Sequence, residues 1–192
     1  MKYNPEKHHR RSVRLREYEY SQAGAYFITI CAKDRECLFG QIIAGKMILN
    51  EYGEIVQEYL DLIPGHFPGV ELDIHIVMPN HIHGIIINND CRGEVFSPGV
   101  LTPVESSPGV VKPQGGKTPP LQRKPTLGNI IAYFKYQTTV KINDIRDTFN
   151  PVWQRNYYER IIRNEHELFK FREYVQNNPL QWDLDKENPD NT

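Results

Sequence analysis

The tightest constraint on the fold lies between Val70 and Asn88. Val70, Leu72, Ile74 and Ile76 alternate with Glu71, Asp73 and His75, the period of two that a half-exposed strand requires. Met78-Pro79-Asn80 then turns the chain, and His81 to Asn88, HIHGIIIN, reads as a second strand. Two strands this close in sequence make a hairpin in mid-sheet. Pro-Asn is not one of the turns favoured in tight hairpins, so the pairing register stays open.

The rest of the chain supplies partners for that hairpin. Ala25 to Ala32, AYFITICA, is apolar on both faces and rich in β-branched and aromatic residues, as a buried strand is. Cys37 to Ile43 is a weaker strand candidate, followed by a turn at Gly45 and a helix cap at Asn50. Tyr52, Ile55, Val56, Tyr59, Leu60 and Ile63 then fall on one face of an amphipathic helix that Pro64-Gly65 ends. A second helical stripe runs through Leu127, Ile131, Phe134 and Thr138, and Val152 to Ile162 suits a last strand. Asn164 and Glu167 have capping-box spacing ahead of Leu168, Phe171 and Val175, a helix that Pro179 stops. Hairpin-connected strands with helices between them predict an α+β fold: a ferredoxin-like antiparallel sheet with helices on one face, plus a C-terminal helix.

A chain of 192 residues suits one domain. Within it, 1–22 reads as a basic N-terminal arm, 89–126 as a flexible insertion holding half of the 14 prolines, and 183–192 as an acidic tail. A hydrophobic content of 39% with 24% charged residues excludes disorder of the whole chain. The net charge of -1 argues against phosphate recognition by the whole surface, although a basic arm can grip phosphates on a neutral protein. Cys31, Cys37 and Cys91 show no C-x-x-C spacing, which excludes a zinc ribbon and fits a reducing cytoplasm. No apolar leader region and no membrane-length apolar run are read.

His81 and His83, one residue apart on a strand, leave the same face within reach of one ion. The pair reads either as half of a metal site or as two histidines hydrogen-bonded in a core. An added oxygen ligand would favour Mg²⁺ or Mn²⁺, and a third nitrogen, with His75 in view, would favour Zn²⁺. Tyr174 and Asn178 stack four residues apart on the last helix. They suit a nucleophile beside an oxygen ligand, or simply a core tyrosine and a helix-capping amide. Gly115-Gly116-Lys117-Thr118 imitates a P-loop, but Val111 stands where its first glycine belongs and Pro119-Pro120 block the helix start.

Three segments in order, AYFITICAKDRECLFG, VMPNHIHGIIIN and VWQRNYYERIIRNEHELFKFREYVQNNP, resemble the HUH-superfamily single-tyrosine transposases, above all their REP-associated branch. The likeness runs from about Arg10 to Trp182, the insertion aside. It implies one divalent ion, Mg²⁺ or Mn²⁺, held by His81, His83 and Asn178, and a metal-dependent single-stranded DNA endonuclease and strand transferase working through a 5′-phosphotyrosine on Tyr174. The partner it implies is single-stranded or hairpin DNA with REP-like repeats, bound by a monomer or homodimer in the cytoplasm at the nucleoid. Candidate DNA contacts are Arg10, Arg11, Arg14 and Arg16 in the arm, then Lys135, Arg155, Arg160 and Arg163, with Tyr157 and Tyr158 able to stack on bases. Asn178 departs from the glutamine of the wider superfamily, being one methylene shorter. A hairpin-binding relative that does not cut, and a zinc hydrolase using His75, His81 and His83, are the competing readings.

Overall fold

The computed structural model describes residues 23–89 and 125–191. The arm residues Arg10, Arg11, Arg14 and Arg16, and nearly all of the 89–126 insertion, lie outside the described residues.

Four strands make the main sheet: β1 (Gly24–Cys31), β4 (Val70–Val77), β5 (His81–Asn88) and β6 (Tyr158–Ile162), in the order β4-β5-β1-β6. Every neighbouring pair is antiparallel. Helix α1 (Glu51–Asp61) connects β1 to β4, and α2 (Leu127–Arg146) connects β5 to β6. This is the ferredoxin-like arrangement that the strand and helix periods predict. Helix α3 (Glu165–Asn177) follows, continued by a 3-10 stretch, Asn178–Leu184.

The register assigns each residue to a face. Tyr26, Ile28 and Ile30 join Val56, Leu60, Ile130, Ile131 and Phe134 in the larger core, beneath α1 and α2. Ala25 and Phe27 join Ile85, Leu168 and Val175 in a smaller one, beneath α3. The two ferredoxin helices therefore share one face, and the tyrosine helix covers the other. The three long helices start on side-chain caps that satisfy otherwise orphaned N–H groups. Asn50 accepts from Tyr52 N and Gly53 N, Thr126 from Asn129 N, and Asn164 from Glu167 N.

Four elements differ from the sequence reading. A bulge between Leu72 and His75 shifts the β4 register, so Val70 and Leu72 join the larger core while Ile74 and Ile76 join the smaller. Pro64-Gly65 lie within a short helix, Ile63–His66, and α1 ends earlier, at Asp61. A small hairpin pairs β2 (Gly40–Ile43) with β3 (Lys46–Leu49), and β3 was not anticipated. Its turn places both Ala44 and Gly45 at positive φ, 49° and 72°. A two-residue turn of that kind is signalled by Asn-Gly or Asp-Gly, and Ala in the first position hides it. The last strand is also shorter than Val152 to Ile162. Trp153 makes only an isolated bridge to Ala32, and the Lys135 ammonium donates to the carbonyls of Gln154 and Asn156. Those carbonyls leave the ladder for a cation.

Candidate active site

Register puts the site on the α3 face. His83 pairs with Thr29 and His81 with Cys31 across β1 and β5, so these four side chains emerge together. Phe27 and Tyr158 flank them on the same face. His75 pairs with Gly84 and points to the opposite face, where it meets Gln57 and Asp61 of α1. It cannot be a third ligand, and the zinc-hydrolase geometry that needed it falls with it.

His81 and His83 are 0% and 1% exposed, and their Nε2 atoms stand 3.0 Å apart. His81 Nδ1 lies 2.8 Å from Asn80 Oδ1, and His83 Nδ1 lies 2.9 Å from Thr29 Oγ1. Burial presses the His81 imidazole down to about 4, with Asp185 opposing and Lys186 assisting. Burial, then His81 and Lys186, hold His83 well below the ordinary range, against a hydrogen bond to the Ile28 backbone. Both rings are neutral at pH 7, the form in which imidazole binds a metal.

Two oxygens complete the cluster. Asp185 Oδ2 lies 3.9 Å from His81 Nε2, and one ligand atom from each of His81, His83 and Asp185 falls within 4.8 Å of the others. Asn178 is 1% exposed and donates from Nδ2 to Asp185 Oδ2 at 3.1 Å. Its own Oδ1 is buried without a hydrogen-bond partner. A buried amide oxygen left unsatisfied costs about 1–3 kcal/mol, so its retention on the residue that holds the Asp185 carboxylate is what a cation site would justify. The donor set of His81, His83 and Asp185, two nitrogens and a carboxylate oxygen, fits a divalent metal ion.

Asp185 was missed because 183–192 reads as an acidic tail. Asp185, Glu187 and Asn188 are instead buried. The 3-10 stretch turns the chain back over the site, with Trp182 stacked 6.1 Å from His81 and Asp185 Oδ1 accepting from Glu187 N. The shorter Asn178 thus orients a carboxylate that itself reaches the histidines.

Tyr174 reaches in from α3. Its hydroxyl lies 3.3 Å from His83 Nε2, and its ring meets His83 and Phe27 edge-on. Burial raises the phenol above its ordinary value, as does Asp185, while a hydrogen bond with Asn178 opposes them. Outside the phenol opens a pocket of about 590 Å³. Phe27, Phe171 and Tyr158 give it aromatic walls, and Arg160, Lys170 and Lys186 give it positive charge. Lys170 and Lys186 had no distinguishing signal in the sequence.

The other expected DNA contacts disperse. Arg160 lines the pocket, paired with Glu167 at 3.0 Å. Arg155 and Arg163 are exposed but do not line it. Lys135 is a structural strap; burial brings its ammonium down to about 8, with a small opposing contribution from Cys31.

An uncharacterized protein of Haemophilus influenzae is 43% identical over 186 residues, 96% of either chain. The two belong to one family. No family profile matches the chain. Among solved structures, a REP-associated tyrosine transposase bound to a REP hairpin superposes with a TM-score of 0.54 at 17% identity, covering 89% of this chain and 74% of that one. The fold is that of the REP-associated tyrosine transposases. A transposase-like structure from Deinococcus radiodurans superposes more loosely, with a TM-score of 0.43 at 14% identity over 86% of this chain and 97% of that one. Among the described residues, no helix is long and apolar enough to cross a membrane.

Proposed function

We propose that the chain is a metal-dependent nickase and strand transferase for single-stranded DNA at hairpins, with Tyr174 as nucleophile. The observation that carries this reading is the Tyr174 hydroxyl, 3.3 Å from His83 Nε2, at the inner end of a basic, aromatic pocket.

His81, His83, Asp185 and Asn178 would hold one Mn²⁺ or Mg²⁺, which when bound neutralises phosphate oxygens and favours the phenolate. The residues around it do the rest. Arg160, Lys170 and Lys186 draw the DNA backbone into the pocket, and Tyr158 and Phe171 offer faces on which bases stack. Tyr174 gives its proton to solvent and its phenolate Oη attacks the phosphorus; a P–O bond forms, and the bond to the 3′ oxygen breaks. The products are a 5′-phosphotyrosine and a 3′-OH, the oxygen leaving with a proton from solvent. Attack by a 3′-OH on the phosphotyrosine reverses the step and joins strands. In this reading the tyrosine serves the histidines of its own chain, which the packing of α3 on the sheet that carries them supports. Hairpin DNA as substrate rests on the likeness to the transposase bound to a REP hairpin. Arg10, Arg11, Arg14 and Arg16 would add phosphate contacts from the arm.

The test incubates the full chain with hairpin DNA carrying single-stranded flanks, from repeats beside its own gene, and Mn²⁺. The wild type is expected to form an adduct that survives denaturing electrophoresis, and Tyr174→Phe none. An adduct persisting in Tyr174→Phe would give the nucleophile to another residue. Hairpin binding without an adduct would make the protein a reader of such DNA rather than a cutter.

A further inference from the structure

We propose that Asn80 is a positioning residue that decides which nitrogen of His81 is left bare for the metal. It rests only on the metal half of the reading above, and makes no use of DNA cleavage.

An amide and an imidazole can each present a donor or an acceptor, so a contact between them is ambiguous alone. Here the ambiguity is removed from outside. Asn80 Nδ2 lies 3.1 Å from the Arg35 carbonyl and 2.6 Å from the Glu187 carbonyl, and carbonyls only accept. The amide nitrogen is therefore fixed on that side, and Oδ1 is the atom 2.8 Å from His81 Nδ1. Since Oδ1 only accepts, the ring carries its hydrogen on Nδ1. The lone pair is left on Nε2, facing His83 Nε2 at 3.0 Å and Asp185 Oδ2 at 3.9 Å. Asn80 is 0% exposed, so no solvent competes with it for Nδ1 in the intact protein.

The two carbonyls are themselves held. Asp34 and Arg35 adopt positive φ, 54° and 59°, a conformation that non-glycine residues seldom take without compensation. The Arg35 guanidinium reaches Glu187 at 3.1 Å, closing a clasp of Arg35, Asn80 and Glu187 around the amide. Without Asn80 Oδ1, Nδ1 loses its acceptor, and the hydrogen gains a better place on Nε2, beside the Asp185 carboxylate. A hydrogen there blocks the coordinating lone pair.

Long-range ¹H–¹⁵N spectra of the ¹⁵N-labelled, metal-free full chain at pH 7.5 read the tautomer directly, and calorimetry with MnCl₂ reads the affinity. In the wild type His81 is expected to carry its hydrogen on Nδ1. In Asn80→Ala it moves to Nε2, and Mn²⁺ affinity falls about 10–100-fold, the usual effect of losing an outer partner of a metal ligand. A wild-type His81 protonated on Nε2, or an Asn80→Ala protein with unchanged tautomer and affinity, overturns the proposal. The wild-type spectrum decides it if Asn80→Ala does not fold. Failure of the wild type to bind Mn²⁺ would remove the metal from the proposed function while leaving the tautomer result readable.

Discussion

Beneath α1 and α2, β1 contributes Tyr26, Ile28 and Ile30 to a core that is apolar nearly throughout. One residue over, beneath α3, the same strand contributes Phe27 and then Thr29 and Cys31, which face His83 and His81. A strand's period of two lets eight residues serve both purposes. The dry face supplies most of the burial, and this frees the other face to keep two facing imidazoles and an unsatisfied amide oxygen, an arrangement poor for stability and suited to binding.

Four measurements bear on that division. Phe134→Ala removes a fully buried ring from the dry face and is expected to cost about 3–5 kcal/mol in denaturant unfolding, with metal affinity of the folded protein unchanged. On the site face, His83→Ala is expected to lower Mn²⁺ affinity by on the order of 100-fold or more, exceeding the loss of an outer partner, at a smaller cost in stability than Phe134→Ala. If it unfolds the protein as readily, the faces are not divided in this way.

Acidity probes the same division. Between the ordinary imidazole value of 6.5 and the folded His81 value of about 4, the unfolded chain takes up a proton that the folded chain refuses. Stability from this burial is therefore complete above 6.5 and is lost as pH falls toward 4. Mn²⁺ affinity, which needs the neutral ring, is expected to change little from pH 7.5 to 5.5. A tenfold loss by pH 5.5 in calorimetry would mean that the rings titrate as exposed histidines do. The smallest effect belongs to Arg172→Ala. It removes a bidentate pair with Asp73, both contacts 2.7 Å, that ties α3 to β4. The pair is partly exposed, so the cost is about 1 kcal/mol or less in thermal unfolding. A much larger loss would show α3 depending on that tie rather than on Leu168 and Val175.

The elements of the sheet were legible because burial imposes a period on them. Tyr52 to Ile63 repeats helically, and Asn50 and Asn164 cap where such residues should; the alternation of Val70 to Ile76 marks a strand but not its faces, because the bulge between Leu72 and His75 sends Ile74 and Ile76 to the side opposite Val70 and Leu72. His81 and His83 were legible as a pair because their spacing fixes a shared face, whereas spacing linked Tyr174 only to Asn178 and its meeting with the histidines depends on the packing of α3. Asp185 and Asn80 were not, for a common reason. Asp185 stands among Asp183, Glu187 and Asp190, a composition that locally means solvent, and its burial comes only from the fold-back over His81. Asn80 looks like turn chemistry, and its role depends on a Glu187 carbonyl 107 residues away. Neither period nor propensity reports on contacts of that separation.

That fold-back also sets an order of events in the making of the protein. A ribosome that has delivered the chain through Asn178 has made both imidazoles, the phenol and the amide, with the strands to align them, but not Asp185 or the Glu187 carbonyl that holds Asn80. The cluster is thus completed by one of the longest loop closures in the molecule, after its scaffold exists. During synthesis the sheet can form while the cluster of His81 and His83 is still short of the Asp185 carboxylate, and the proposed capacity to bind metal is expected only after the fold-back.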